Sequence, residues 1–340
     1  MTKLYGFTFM RGVDKLDYPY LEMLESMSGL TDKIYLALGD SDDKTGENVR
    51  KLPNVDVIDT TWEDKYSGDG GTIFSRQANI ALDKLRAEHG DEDDAWALFL
   101  HCDEIIHPDQ YQELKDKIEE AKANGHDAVR VRFIHFWKDH YHMAINKRWQ
   151  PMEIRAFKLK SNIVCHGDAQ GFSGFNSQID SDVLLLHYGH VRPAEQHKAK
   201  QEEIMRRIRP AEKFDKYWKR EKKAFAKTKL APVLIKHPEF MRSRIERLGD
   251  MFDLPEAGRI CIFGNRLDFQ KSTLDRINAK EIIWNKKVPG ALFMHMNPGL
   301  IDRILYNEPK SVNMESHLAT DWSKDMQLIL RLSRLGVSQK

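Results

Sequence analysis

The residues Trp96-Ala97-Leu98-Phe99-Leu100-His101-Cys102-Asp103-Glu104-Ile105-Ile106-His107-Pro108-Asp109 join an apolar run to a pair of carboxylates and then to a proline-marked turn. Such a run reads as a short buried strand, and a buried strand has no structural use for Asp103 and Glu104 at its tip. In open α/β sheets, ligands bind outside the carboxyl ends of the strands. Two adjacent carboxylates there suit a hard divalent cation that also touches a ligand's phosphates. The plainer reading is a solvated strand end, since acidic residues are common in loops. The segments around this one decide between the two.

The first part of the chain alternates strand and helix patterns. Strands are predicted at 4–9, 33–38 and 55–60 and in the run before Asp103. Helices are predicted at 18–27, 73–86 and 109–123. That alternation implies a parallel sheet. After Asp127 the pattern changes to strands at 128–137, 153–159 and 183–188, which suits a mixed sheet. Helix signals dominate 193–247, interrupted near Pro210, Pro232 and Pro238. A new strand–helix–strand pattern follows: strands at 259–263, 281–284 and 291–296, a helix around Leu274, and a helical tail from Trp322 to Leu335.

At 340 residues and 41% hydrophobic composition, the chain can bury a sizeable core in one large domain or two. A formal net charge of +1 gives no global attraction to nucleic acid, and none is expected as a partner. The charge is unevenly spread. Acidic runs such as 40–43 and 91–94 mark the first third, and Lys and Arg dominate 198–247. The basic stretch reads first as a solvated helical face, with a peripheral contact to anionic lipid as the sharper alternative. Three scattered cysteines form no disulfide framework or zinc motif, which suits a reducing cytosol. The first residues lack a signal-peptide layout, and no apolar run is long enough to span a membrane. The expected location is cytoplasmic, with the inner membrane face as the surface the basic stretch would touch.

Polar groups follow several of the strands. Arg11 follows the first, Asp40, Ser41 and Asp43 the second, and Asp103 and Glu104 the fourth. Acceptors for base and ribose, a cation for the diphosphate and a basic group are what a nucleotide site at a sheet edge needs. No Gly-x-Gly-x-x-Gly follows the first strand, and no Gly-x-x-x-x-Gly-Lys-Ser/Thr occurs anywhere, so a glycine loop does not cradle the phosphates.

With these segments in place, the chain resembles the family 2 glycosyltransferases of the GT-A fold, in particular a bacterial subgroup. Ser41-Asp42-Asp43-Lys44-Thr45 is similar to that family's Ser-x-Asp-x-Thr loop, and His101-Cys102-Asp103-Glu104 to its Asp-x-Asp metal motif. Residues 131–137, 153–155, 167–172 and His187-Tyr188-Gly189-His190-Val191-Arg192-Pro193 are similar to segments of the subgroup. The resemblance covers about two-thirds of the chain. It implies a mixed, mainly parallel sheet flanked by helices. On this reading residues 1–193 form the nucleotide-sugar-binding and catalytic domain and 194–257 a basic helical extension. Residues 258–340 form a small α/β region of unassigned role.

The resemblance also implies a nucleotide-sugar donor, a UDP-sugar first among them, a divalent cation (Mn²⁺ or Mg²⁺), and a glycan or other hydroxyl acceptor. Asp103, Glu104 and His187 are then the metal ligands. Phe7, Arg11, Asp43, Arg76, Asp103 and Arg192 line the nucleotide, with Arg76 and Arg192 facing phosphate. An inverting transfer needs a base for the acceptor hydroxyl. Asp168, in a Gly-rich turn, is the first candidate and Glu153 the second. The pattern departs from the family at His101, where an Asp is usual, which throws the weight onto Asp103. Two other functions fit parts of the same pattern: a nucleotidyltransferase acting on a sugar phosphate, and a non-catalytic module that binds an anionic partner.

Overall fold

A computed structural model describes residues 2–140, 142–144, 148–149, 151–228, 230–235 and 237–248, and the strands 257–263, 279–285 and 292–295. In chain order the first elements are β1 (Lys3–Met10), α1 (Tyr20–Ser28), β2 (Ile34–Gly39), α2 (Thr45–Val49), β3 (Val55–Thr60), α3 (Thr72–His89) and β4 (Ala95–Phe99). Then follow β5 (Glu104–Ile106), α4 (Tyr111–Ala123), β6 (Ala128–Trp137), β7 (His142–Ala144), β8 (Met152–Lys158), β9 (Val164–His166), β10 (Gly171–Ser173) and β11 (Gln178–His190). The last are α5 (Ala194–Ile208), α6 (Phe214–Ala226), β12 (Leu230–Ile235), α7 (Arg242–Leu248), β13 (Ala257–Phe263), β14 (Ala279–Asn285) and β15 (Leu292–His295).

The chain divides into two compact units. The first holds residues 1–133 and 152–227, the second 134–151 and 228–340. This division differs from the boundaries expected at 193 and 257. Helices α5 and α6 belong with the first unit, because α5 sends side chains into its site.

The first unit is a mixed α/β sheet flanked by helices. Its strands run in the order β8-β4-β1-β2-β3. The pairs β1/β2, β1/β4 and β2/β3 are parallel, as the alternation predicts, and β8 closes the series antiparallel to β4. Strands β2 and β4 are buried along their whole length, and β1 at every position but its first. Cover on both faces favours such apolar strands over alternating ones. One face is covered by α3, which buries Ile73, Ala78, Ala81, Leu82 and Leu85 at helical spacing. Burying each of the larger apolar side chains contributes about 1.5–3 kcal/mol before entropy is counted.

Three features of this unit fall outside the sequence expectations. Glu104 does not lie in an exit loop but starts β5, which pairs antiparallel with β11 in the register His187↔Glu104 and Leu186↔Ile105. A small hairpin of β9 and β10 flanks the turn that carries Asp168. The strand expected at 183–188 is longer, Gln178–His190.

In the second unit β13 and β14 are parallel, and β15 pairs antiparallel with both β13 and β12. The strands expected at 259–263, 281–284 and 291–296 match β13, β14 and β15. Leu230–Ile235 is a strand, not part of a helical run. Pro232 cannot donate within a helix, and its Val-Leu-Ile neighbours favour extended backbone. The helix around Leu274 and the tail from Trp322 to Leu335 lie outside the described residues.

Candidate functional site

The parallel register sets the site's floor. Phe7 of β1 faces Phe99 of β4, and the buried Thr8 hydroxyl donates to Leu100 O at 2.6 Å, just past the end of β4. The chain then turns through His101 and Cys102 to place Asp103 at the carboxyl edge. Asp103 is buried (5% exposed) and faces Lys200, Arg192 and His187. Lys200 of α5 donates from Nζ to Asp103 Oδ2 at 2.9 Å and to Gly189 O at 2.7 Å. His187 Nε2 lies 3.7 Å from Oδ1, and Arg192 Nη2 lies 3.9 Å from Oδ2. Burial alone would raise the Asp103 carboxyl. Lys200, His187 and Arg192 outweigh that and hold it well below the usual carboxylate range.

Gly189 is required by close approach. A Cβ there would stand 2.4 Å from His187 Nε2 and 2.9 Å from Asp103 Oδ2. Only a glycine lets the strand end pass so near the imidazole and carboxylate together. Tyr188 N–H donates to Asp103 O at 2.8 Å, pinning the same turn to β11.

Glu104 has a different role from the one expected. It forms a fully buried fork with Arg155 of β8: Nε to Oε2 at 2.8 Å and Nη2 to Oε1 at 2.7 Å. His101 N–H adds a third donor to Oε2 at 3.0 Å. Burial pushes the Glu104 carboxyl up, but the Arg155 guanidinium pulls it below its ordinary value. Both oxygens are thus engaged by protein donors.

The side chains present do not fit a resident divalent cation. Such an ion takes six or more oxygens and works best where negative charge exceeds positive. Here two buried carboxylates, Asp103 and Glu104, face three buried cations, Lys200, Arg192 and Arg155. Among the described residues, no group of three or more His, Cys, Asp or Glu is arranged to hold a metal. Asp103, Glu104 and His187 are neighbours at one edge, with Glu104 committed to Arg155 and Asp103 to Lys200.

The turn with Asp168 is fastened to this edge. His101 Nε2 is 2.9 Å from Ala169 O, and Arg155 Nη1 donates to Gln170 O at 3.3 Å. Gly167 and Ala169, on either side of Asp168, have φ of 58° and 66°. The left-handed region costs a non-glycine residue about 1 kcal/mol or more, so the contacts of Ala169 must hold it there. Asp168 also backs onto the start of α3, its Cβ 2.8 Å from where a Gly71 Cβ would lie. His101, a departure from the family pattern by type, is thus a clamp on the turn. Glu153 shares the Arg155 face of β8, and burial raises its carboxyl above the ordinary range.

A prediction follows for His101→Ala. Loss of one hydrogen bond should cost about 0.5–1.5 kcal/mol of stability. Urea melts of the variant beside the parent check it.

The remaining expected nucleotide residues are more dispersed. The two Asp43 carboxylate oxygens accept from Lys15 N–H and Thr45 N–H, at 2.9 and 3.0 Å. The hydroxyls of Ser41 and Thr45 accept from the N–H groups of Gly12, Val13 and Asp14. The Ser41–Thr45 loop is therefore a latch that fixes the exit of β1. Arg11 donates to Asp40 O at 2.9 Å and lies over the Trp62 ring at 5.7 Å. Arg76 is exposed and stacks over Tyr66 at 3.9 Å. Phe7 is the clearest correction: it is wholly buried against Phe99 at 5.0 Å and belongs to the core, because β1 is covered on both faces.

Two residues of the site escaped the sequence reading. Lys200 sits in a basic stretch that looked solvated, yet Lys200, Gln201 and Met205 are the buried positions of α5. Gln201 and Met205 are an i,i+4 pair, but Lys200 sits about 100° round the helix from Gln201, so periodicity alone does not single it out. Arg155 sits mid-strand, where its partner cannot be read from neighbours in sequence.

A second consequence concerns acid. His190 Nδ1 lies 3.0 Å from His197 Nε2. Burial, then Lys200 and Arg192, push the His197 ring down to about 4. The folded state keeps His197 neutral, while an unfolded chain takes up a proton near 6.5. Its contribution to stability is therefore full above about pH 6.5 and is lost as pH falls towards 4. The loss should be about 1–3 kcal/mol. His197→Gln should make the stability profile shallower over that interval, with the buried His190, also pushed well below its ordinary value by burial, supplying slope that remains; urea melts across pH will show it.

Comparison with known proteins gives fold-level likeness at low similarity. No family profile matches the chain, and no curated protein sequence does. Among solved structures it is similar to TarS from S. aureus, with 12% identity, TM-score 0.36, and coverage of 60% of this chain and 39% of that one. A structure of TarS residues 1–349 gives 14% identity, TM-score 0.35 and coverage of 60% and 64%. The chain thus spans less than two-thirds of either. HddC from Yersinia pseudotuberculosis, solved with GMP-PN, gives 15% identity, TM-score 0.29 and coverage of 60% and 99%. The chemistry has to be read from the side chains at the strand ends. Among the described residues no helix is long and apolar enough to cross a membrane.

Proposed function

We infer that this chain is a glycosyltransferase that moves a sugar, with inversion, from a nucleoside-diphosphate sugar to a hydroxyl acceptor, in the assembly of a surface glycan. One observation carries the reading. At the carboxyl edge of the sheet, a buried carboxylate is outnumbered by fixed cations beside a clamped turn bearing a second carboxylate. A surplus of buried positive charge favours an anion, and a departing diphosphate develops negative charge as the glycosidic bond breaks. Lys200 and Arg192, oriented by Asp103, supply that field. Asp168 accepts the acceptor's proton as its oxygen attacks the anomeric carbon, and Glu153 is the second candidate for that step. UDP-sugars are the first donors to test.

A nucleotidyltransferase would attack the α-phosphate and needs free basic groups on the first loop. Here Arg11 is turned to Asp40 and Glu203, and Lys15 is paired with Asp42. The glycosyl reading is therefore preferred. Contact of the basic face of α6 with a membrane surface stays a separate proposal.

A thermal-shift panel tests the reading directly. UDP, GDP, dTDP and CDP are each added to the wild-type protein, with nucleoside triphosphate plus sugar 1-phosphate in parallel. A rise in melting temperature with one diphosphate at saturating concentration is expected. Stabilisation only by triphosphate and sugar 1-phosphate would favour the nucleotidyltransferase instead.

A further inference from the structure

The resembled family places a divalent cation between an acidic motif and the donor's diphosphate. In this chain that acidic group already has a cation. Lys200 Nζ bonds Asp103 Oδ2 at 2.9 Å and Gly189 O at 2.7 Å, and these contacts use two of its three N–H donors. The ring of Tyr18 lies 4.8 Å from Nζ and 4.2 Å from Arg192 Cζ, so one aromatic ring braces both cations. Arg192 Nη1 donates to Leu16 O at 2.7 Å, while its Nε and Nη2 are buried without a hydrogen-bond partner. Buried donors of a guanidinium left unmatched are rare and point to an acceptor that binds there. A metal at Asp103 would have to displace Lys200 and then sit beside Arg192, against like charge.

We propose that Lys200, held on Asp103 and the Gly189 carbonyl and supported by Arg192, binds the donor's diphosphate in place of a metal ion. The reaction is then independent of divalent cations. This rests on the glycosyltransferase reading and names the group that does the metal's work. Lys200 takes a phosphate oxygen on its third N–H, and as the sugar leaves, the growing charge on the diphosphate stays against a fixed ammonium. Asp103 orients Lys200 and is not itself a ligand to an ion.

The test is calorimetric binding of two probes, UDP and inorganic pyrophosphate, to the full chain. Pyrophosphate reads the diphosphate site whatever the donor's base. Each titration is run in excess chelator and again with Mn²⁺ or Mg²⁺. Wild-type affinity should change by less than about twofold between these conditions. Lys200→Met should weaken both probes by about 10- to 100-fold, the effect of one charge-assisted hydrogen bond. Lys200→Arg keeps the charge and should recover most of that loss, so it serves if the Met variant does not fold. Wild-type binding that requires Mn²⁺ or Mg²⁺ overturns the proposal and leaves the glycosyltransferase reading standing. Unchanged binding by folded Lys200→Met also overturns it. Failure of pyrophosphate and of every nucleoside diphosphate to bind, with or without metal, removes both the proposal and the reading beneath it.

Discussion

Arg155→Met is expected to be among the most destabilising single substitutions in the first unit, costing about 3–5 kcal/mol. Glu104 and Arg155 are 2% and 1% exposed and satisfy each other with two hydrogen bonds under 3 Å. Removing the guanidinium leaves a buried carboxylate with only the His101 amide beside it. The same change frees Gln170 O and so loosens the Asp168 turn. The double variant Glu104→Met with Arg155→Met should regain much of the lost stability, because neither charge then has to be desolvated. Activity should not return with it, since the turn stays unclamped. Urea denaturation of the two variants beside the parent measures the coupling. A loss of less than about 1 kcal/mol in the single variant would mean that the fork contributes far less than its burial implies.

Asp103→Asn is the second large effect. The amide keeps the shape but not the charge, so Lys200 and Arg192 are left buried beside a neutral group. Stability should drop by about 3–5 kcal/mol, the range for breaking a buried pair. Transfer should drop by about 10³-fold, because Lys200 loses the carboxylate that aims it. Pairing the change with Lys200→Met should recover stability without recovering transfer. The two readouts thus separate the structural duty of Asp103 from its role in the reaction. Recovery of transfer in the double variant would show that neither residue takes part.

Part of this arrangement was legible in the sequence, and the reasons differ by residue. The strands through Phe7, Tyr35 and Phe99 were found because apolar runs bounded by polar turns report burial directly. Asp103 was found because a carboxylate at the tip of such a run conflicts with its surroundings. Glu104 announces a functional acid by type for the same reason, while its partner Arg155 lies some fifty residues on and out of reach of local pattern. Lys200 lies ninety-seven residues from Asp103. Local charge composition averages it into a solvated face, and it is out of helical phase with the buried Met205. In the Asp43 loop the carboxylate accepts from the backbone amides of Lys15 and Thr45, partners that the residue type alone does not announce. Sequence patterns report which side chains are costly to bury; only the fold shows which of them have found partners.

The most direct test of the central claim is nucleoside-diphosphate release from a panel of nucleotide sugars, with the wild-type chain in excess chelator. The account predicts release from at least one donor, UDP-sugars first, and its loss in Asp103→Asn. No release from any donor by the folded protein, with or without added Mn²⁺, would contradict it.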